Sequence, residues 1–540
     1  MTEKENLSKK KSMLKDGLSL TVLTFVSRVL GLVREMTKSA FMGTGLLADA
    51  FAVAFLIPNL LRRLFAENSI TIAFIPTFKK YLHKLETAEN TEEKKLAKQN
   101  SRDFLSAIFT LLSFLTTATV VLGIIFTPII LKVFFPESTE DFPLTVLLTR
   151  IMFPYLVVIS LAAFFQGILN SVKVFTPSGF TPILFNIAII SFTHLLTPVF
   201  DNPAIAMSIG VIVGGFIQAF FQLPFIFKAG QYFSFTSLKN AFTNDGTKKV
   251  IRLIVPTLFG MAAFQLNDLV ASGLGKNAGL GVLSSLQYSL RLQELLLGIF
   301  VISVGTVILP DLSAYATKKD WKSFEGLFLQ AIEIVALITI PATFFAFFSS
   351  EHIISLVYKI GNFDDNSVRL TMQAFNFHIL GLFFISLTKI VAPAFYAQGD
   401  TKHPTIAGVI CFAVNMLLAS ILVKPMVGGG IALALSIASA TNALCLFIFL
   451  RKNKNLNIKK ILSTTFFATI KITIFSIIAS LPLLLFSEKI YTLFAGHRRL
   501  ISEGFPLFIN FLIFAFVGVA LLFLTGDKLL KNLIARFFKK

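Results

Sequence analysis

The stretch FLIPNLLRRLFAE, Phe55–Glu67, sets two adjacent arginines and a glutamate in a run that otherwise reads as buried in apolar surroundings. An arginine at the centre of a membrane helix costs about 3 kcal/mol on insertion scales, and more by other estimates, so something must compensate it. Whether this stretch lies in a membrane is decided by the chain around it.

Of the 540 residues 55% are hydrophobic, 61 are phenylalanine, and the mean hydropathy is +0.77. Soluble domains reach only about 45–50% apolar residues even with glycine counted. The composition therefore excludes a soluble globular protein. Cys411 and Cys445 both sit in apolar runs, where a thiol behaves as a small hydrophobe, and two such residues make no disulfide framework. The N-terminal MTEKENLSKKKSMLKDG is charged and carries no short apolar core ending in a small-residue cleavage site, so no removable signal peptide is expected.

Apolar windows long enough to cross the hydrocarbon core, about 20 residues, recur along the whole chain. Fourteen are expected: 17–42, 46–78, 104–134, 143–170, 178–199, 204–228, 250–274, 280–314, 323–349, 369–398, 404–423, 428–450, 461–486 and 504–525. They lack the alternation of an outer-membrane barrel, and backbone groups in lipid must be satisfied internally, so the fold class is an all-α polytopic membrane protein. With the N-terminus placed in the cytoplasm, the loops and tails on that side hold roughly 32 Lys and Arg, against roughly 7 in the opposite loops. Both termini are thus expected to be cytoplasmic. The formal net charge of +20 follows from this topology and from attraction to anionic lipid, and needs no nucleic-acid partner.

About ten basic residues remain inside the spans: Arg28, Arg34, Lys38, Arg62, Arg63, Lys132, Arg150, Arg291, Lys389 and Lys471. Half fall in the first two helices. Projected at about 100° per residue, Thr21, Thr24, Ser27, Arg28, Gly31, Arg34, Glu35 and Lys38 share one arc of the first helix. Pairing with Glu67 or Asp49 would give these cations a merely structural role. Five cations against two or three anions leave a surplus, however, and an unpaired buried charge is costly. A surplus of guanidinium facing a wet cavity suits a phosphate-bearing ligand, because its planar donors match phosphate oxygens and it stays ionised at low dielectric.

The chain also repeats itself. ITIAFIPTFKKY, ending at Tyr81, and GTVILPDLSAY, ending at Tyr315, each place a proline five residues before a tyrosine, 234 residues apart. FFQGILNSVKVFTP, ending at Pro177, and FYAQGDTKHP, ending at Pro404, lead into helices holding Asn186 and Asn415. Two six-helix lobes around a central cationic cavity are expected, residues 1–229 and 230–450, with two additional C-terminal helices and a tail in 451–540.

SRVLGLVRE (Ser27–Glu35), ADAFAVAFLIPNLLRRLFAE (Ala48–Glu67), AFIP (Ala73–Pro76), VGTVILPDLS (Val304–Ser313) and FYAQGDTKHP (Phe395–Pro404) together resemble the MurJ (MviN) lipid II flippases of the multidrug/oligosaccharidyl-lipid/polysaccharide exporter superfamily. The resemblance covers about residues 17–450. It implies a bacterial inner-membrane flippase, not an enzyme. The cargo would be lipid II, undecaprenyl-diphosphate carrying the peptidoglycan disaccharide-pentapeptide, moved to the outer leaflet for cell wall biogenesis. Membrane lipids and cell-wall synthesis proteins would be its partners. On the family's motifs, Ser27, Arg28, Arg34, Asp49, Arg62, Arg291 and Glu294 fall on functionally important positions, and Glu35 stands where the family commonly has Asp. Arg62 would contact the diphosphate, and Arg63, about 100° round the helix, would pair with an acid or with headgroups. Leu56, Asn68 and Leu290 depart from the family pattern, and the last leaves Arg291 without an acid before it. Glu294, at i+3, could replace that partner.

Enzymatic readings find little support. No histidine pair has metal-ligand spacing, and there is no glycine loop to cradle phosphate. The alternatives are an exporter of another polyprenyl-diphosphate-linked saccharide and a multidrug exporter of the same superfamily, although a drug exporter would want acidic rather than basic cavity residues. No cofactor is expected. Coupling to sodium or protons would use Asp268 and Asp400, with Asn267 nearby; otherwise the membrane potential would act on the cationic cluster.

Overall fold

The computed structural model describes residues 3–63, 73–135, 141–451 and 455–527, with side chains described outside 3–21, 255–266 and 299–307. The described residues form helices and no strand. By contact the chain divides into two compact units, Met1–Gly273 and Leu274–Lys540.

The first unit runs α1 (Glu3–Met42), α2 (Leu46–Arg62), α3 (Ile75–Glu86), α4 (Thr91–Phe134), α5 (Phe142–Met152), α6 (Tyr155–Ser171), α7 (Thr176–Phe200), α8 (Pro203–Lys228), α9 (Leu238–Thr243) and α10 (Asp245–Asn277), whose last turn passes the boundary. Its core is aromatic: Phe74, Phe78, Phe104 and Phe164 are fully buried and pack with ring centroids 5.1–6.3 Å apart, Phe164 edge-on to Phe74. The second unit runs α11 (Val282–Thr317), α12 (Trp321–Phe348), α13 (Ser350–Tyr358), α14 (Asp365–Leu380), α15 (Leu382–Tyr396), α16 (Lys402–Leu450), α17 (Ile458–Leu493) and α18 (Phe505–Leu524). Its core joins α12, α15 and α16 through Phe328, Ile332, Val335, Ile390, Val391 and Leu446.

Helix starts follow local chemistry. Asn90, Asn202, Asp320, Asp364 and Asn457 each accept a backbone N–H of the first turn that would otherwise lack a partner. Inside the spans, hydroxyls bond back to the carbonyl one turn earlier, as Thr127 does to Gly123 at 2.6 Å and Thr149 to Thr145 at 2.6 Å. Lipid offers no water to satisfy them.

The fourteen stretches read from the sequence fall mostly on helix where their residues are described: 46–78 is helical up to Arg63 and again from Ala73, while 143–170 is broken by a turn at Phe153–Pro154 and 369–398 by one at Gly381. Nine helical stretches among the described residues are long and apolar enough to cross a membrane; α1, α2, α10 and α11 are not among them. Length and composition alone therefore do not establish a count of fourteen. α16 is one of the nine, yet 49 residues would extend about 73 Å, more than twice the hydrocarbon thickness. It breaks at Val427, whose φ of 50° and ψ of −127° are costly for a β-branched residue. A Cβ on Gly430 would lie 2.1 Å from the Leu422 carbonyl oxygen, so glycine is required where the chain turns back. Large apolar side chains cover the outer surface, Phe467, Leu485 and Phe516 being more than two-thirds exposed, as lipid contact requires.

Candidate functional site

In the first unit the cationic face of α1 packs against α7, and the packing is organised by an amide. Asn186 of α7 is buried in an apolar helix; its Nδ2 donates to the Ser27 carbonyl at 3.3 Å, and its Oδ1 accepts from Arg34 Nη1 at 3.2 Å. Gly31 faces it, and a Cβ there would meet Asn186 Nδ2 at 3.9 Å, an ordinary contact. Arg34 Nη2 donates to Glu35 Oε1 at 2.7 Å, and the two side chains are only 15% and 10% exposed. A guanidinium has five N–H groups, so this frame fixes the plane of Arg34 with two and leaves three for a ligand.

Arg28, one face round and half-buried, makes no side-chain hydrogen bond or ion pair with any described residue. Lys38 is buried with its ammonium 5.9 Å from the Phe51 ring centre, a cation–π contact. Asp49 is fully buried in the first turn of α2, near the positive end of its dipole.

On α2 the adjacent arginines divide. Arg62 Nε donates to Asn59 Oδ1 at 2.9 Å, which aims the guanidinium along its own helix. Arg63 Nη1 donates to Asp268 Oδ2 of α10 at 2.8 Å, with the side chains 38% and 48% exposed. Arg63 thus has the acidic partner expected of it, and the same bond occupies the carboxylate of Asp268. Glu67 and Asn68 lie outside the described residues.

In the second unit Arg291 Nη1 donates to Glu294 Oε2 at 2.7 Å, the i+3 replacement suggested by the sequence. Asp400, in the turn after α15, accepts from His403, Oδ2 and Nδ1 lying 2.6 Å apart. Burial would raise its carboxyl, but hydrogen bonds from the His403 side chain and backbone outweigh this and hold it below the ordinary carboxylate range. No group of three or more potential metal ligands occurs among the described residues.

The structure brings together Ser27, Arg34 and Glu35 around Asn186, a residue used in the sequence only as a marker of the repeat. A lone amide in a long apolar helix is the signal that could have singled it out.

A family model described as lipid II flippase MurJ matches residues 38–539. The chain is 47% identical over 522 residues, 97% of its length and 98% of the relative's, to a probable lipid II flippase MurJ of Treponema pallidum. It is 31% identical to the lipid II flippase MurJ of Burkholderia cenocepacia, over 77% of this chain and 80% of that one. A solved structure of lipid II flippase MurJ in an inward closed conformation superposes with a TM-score of 0.74 at 27% identity, covering 95% of this chain and 99% of the other. An inward-facing multidrug transporter of the MOP superfamily shares the fold at a TM-score of 0.66 and 11% identity, over 83% and 99%. With a helical membrane fold, an arginine face on its first helix and relatives of this likeness over nearly its whole length, the chain belongs to the MurJ lipid II flippase family.

Proposed function

We propose that this protein carries lipid II from the inner to the outer leaflet of the bacterial cytoplasmic membrane by alternating access, for cell-wall synthesis. The observation that supports the cargo is the framed guanidinium of Arg34, rigid on one edge through Asn186 and Glu35 and with donors to spare on the other. A diphosphate offers the matching array of acceptors. Arg28 on α1 and Arg62 on α2 supply further charge, and Ser27, Glu35 and Asp49 position that cluster; within the second unit Glu294 sets the direction of Arg291, which is assigned to the cargo by its place in the family's motifs. A cationic drug would meet like charge here.

Both termini are taken to face the cytoplasm on the distribution of basic residues, so the cargo is delivered to the enzymes that polymerise the wall outside. The two lobes are assigned to 1–229 and 230–450 on the sequence repeat, with 451–540 as the addition. The driving force is assigned to the membrane potential. Asp268 and Asp400, the carboxylates put forward for ion coupling, already hold Arg63 and His403. Purified protein in liposomes should bind lipid II in preference to undecaprenyl phosphate and bring it to the opposite leaflet. Equal binding of the two lipids would refute the cargo assignment.

A further inference from the structure

A cleft of about 880 Å³ opens in the first unit between the start of α4, the extended segment after α8, and α9. One wall is the basic face of α4: Lys95, Lys98 and Arg102 stand at i, i+3 and i+7, on the same side of the helix. Of the two carboxylates on the cleft, Asp103 and Asp245, the second lies 3.4 Å from Lys248. The opposite wall is residues 231–237. It is pinned by two bonds, from Ser234 N to Ser106 Oγ at 3.1 Å and from Thr236 N to Thr110 Oγ1 at 3.0 Å. Phe235, between them, packs on Phe109 at 4.7 Å between ring centroids and is still 71% exposed.

Depth along α4 gives these walls different surroundings. Arg102 and Asp103 are the last charges before Lys132, and the apolar run begins at residue 104. At about 1.5 Å per residue, Arg102 stands about 3 Å outside that edge, among the polar headgroups, which reach about 5–8 Å beyond the hydrocarbon, and Lys98 about 9 Å outside it, at their outer margin. Thr110 lies six residues into the apolar run. The segment that carries Phe235 is therefore bonded to the first turns of the apolar run of α4, while the cations of the same cleft stand on the polar side of its start.

We propose that this cleft binds an anionic phospholipid, its phosphate on Lys98 and Arg102 and its first chain segments against Phe235. A soluble phosphate ester would use the cations but would leave a large aromatic exposed with nothing to cover it. The proposal needs only a membrane-spanning chain. The leaflet, the cytoplasmic one, rests on the orientation proposed above.

Trp321 is the chain's only tryptophan, so the full-length protein with Trp321→Phe and Phe235→Trp carries one indole, placed at the cleft. Reconstituted in bilayers, it should be quenched more strongly by brominated phosphatidylglycerol than by brominated phosphatidylcholine of the same chains. Each basic residue near an anionic surface strengthens attachment about five-fold. Lys98→Gln and Arg102→Gln should each weaken the preference by about that factor, and K95Q/K98Q/R102Q should abolish it. Equal quenching by the two lipids in the parent protein, or an unchanged preference in the triple variant, would overturn the proposal. Loss of the preference on adding soluble glycerol 3-phosphate at constant ionic strength would assign the cleft to a free phosphate ester and overturn the lipid. Failure to flip lipid II with this preference intact would count against the flippase reading alone.

Discussion

Replacing Arg34 by alanine, alone and together with Glu35→Gln, separates a structural ion pair from a cargo contact. In the single variant the carboxylate of Glu35, 10% exposed, loses the guanidinium 2.7 Å away. Removing one partner of a buried pair costs about 3–5 kcal/mol, most of it the penalty on the charge left behind. The bond to Asn186 is a smaller matter, since interhelical hydrogen bonds in membranes average about 0.6 kcal/mol. Arg34→Ala should therefore lower stability by up to about 3 kcal/mol, and R34A/E35Q, which removes the carboxylate's charge together with the guanidinium's, should recover most of it. The double variant also leaves the net charge of the face as it was. Thermal unfolding in detergent reads the first quantity; growth of cells depleted of their own flippase reads the second. If Arg34 touches the diphosphate, R34A/E35Q is stable and does not support growth. Normal growth on the stable double variant would refute the reasoning and return Arg34 to a structural role.

The adjacent arginines of α2 should behave oppositely: Arg62→Ala abolishes growth and Arg62→Lys restores it in part, whereas Arg63→Ala removes a half-exposed pair worth about 1 kcal/mol or less and is tolerated. A reversed ranking would show that the cargo uses the other arginine. Gly430→Ala drives a Cβ to 2.1 Å from the Leu422 carbonyl, and the protein should fail to accumulate in the membrane; ordinary levels on immunoblots of membranes would disprove the close approach at the α16 break. Two net charges moving through half of a 100 mV field experience about 2 kcal/mol, about thirty-fold in an equilibrium, so collapsing the potential with valinomycin and potassium at constant pH gradient should slow flipping. Indifference to that treatment, with arrest on removing sodium or the proton gradient, would return the coupling to Asp268 and Asp400.

The helices were legible because lipid imposes one rule on every residue of a span: the run of apolar residues in 104–134 or 204–228 is itself the physical requirement. The charges of α1 were legible for the converse reason, each being costly enough to demand an explanation. Partners across helices were not. Ser27 and Asn186 are separated by 159 positions, and nothing in either helix's periodicity says which neighbour it meets. The pairing of Arg63 with Asp268 was open for the same reason, although the need for some acid was clear. Arg291 and Glu294 could be matched in advance because both lie on one helix, where geometry follows from spacing. The break at Val427 was marked by the glycines after it, but not the left-handed conformation of the valine itself, which local preference disfavours. The segment 231–237 lies between two of the expected spans, and the two hydroxyls of α4 that hold it cannot be matched to it from sequence.

α18 buries only Pro506, Asn510 and Phe514, one residue per turn along a single seam against α17 and α12. The other seventeen of its twenty residues face outward or lie at the margins. Such a helix records little of its own history. A random library restricted to apolar residues at those outward positions should yield mostly working proteins, while the three seam positions should tolerate few replacements. Descendants of one ancestor could then differ almost everywhere along α18 and still place it identically, so comparison of relatives would lose this helix long before the protein lost its use for it.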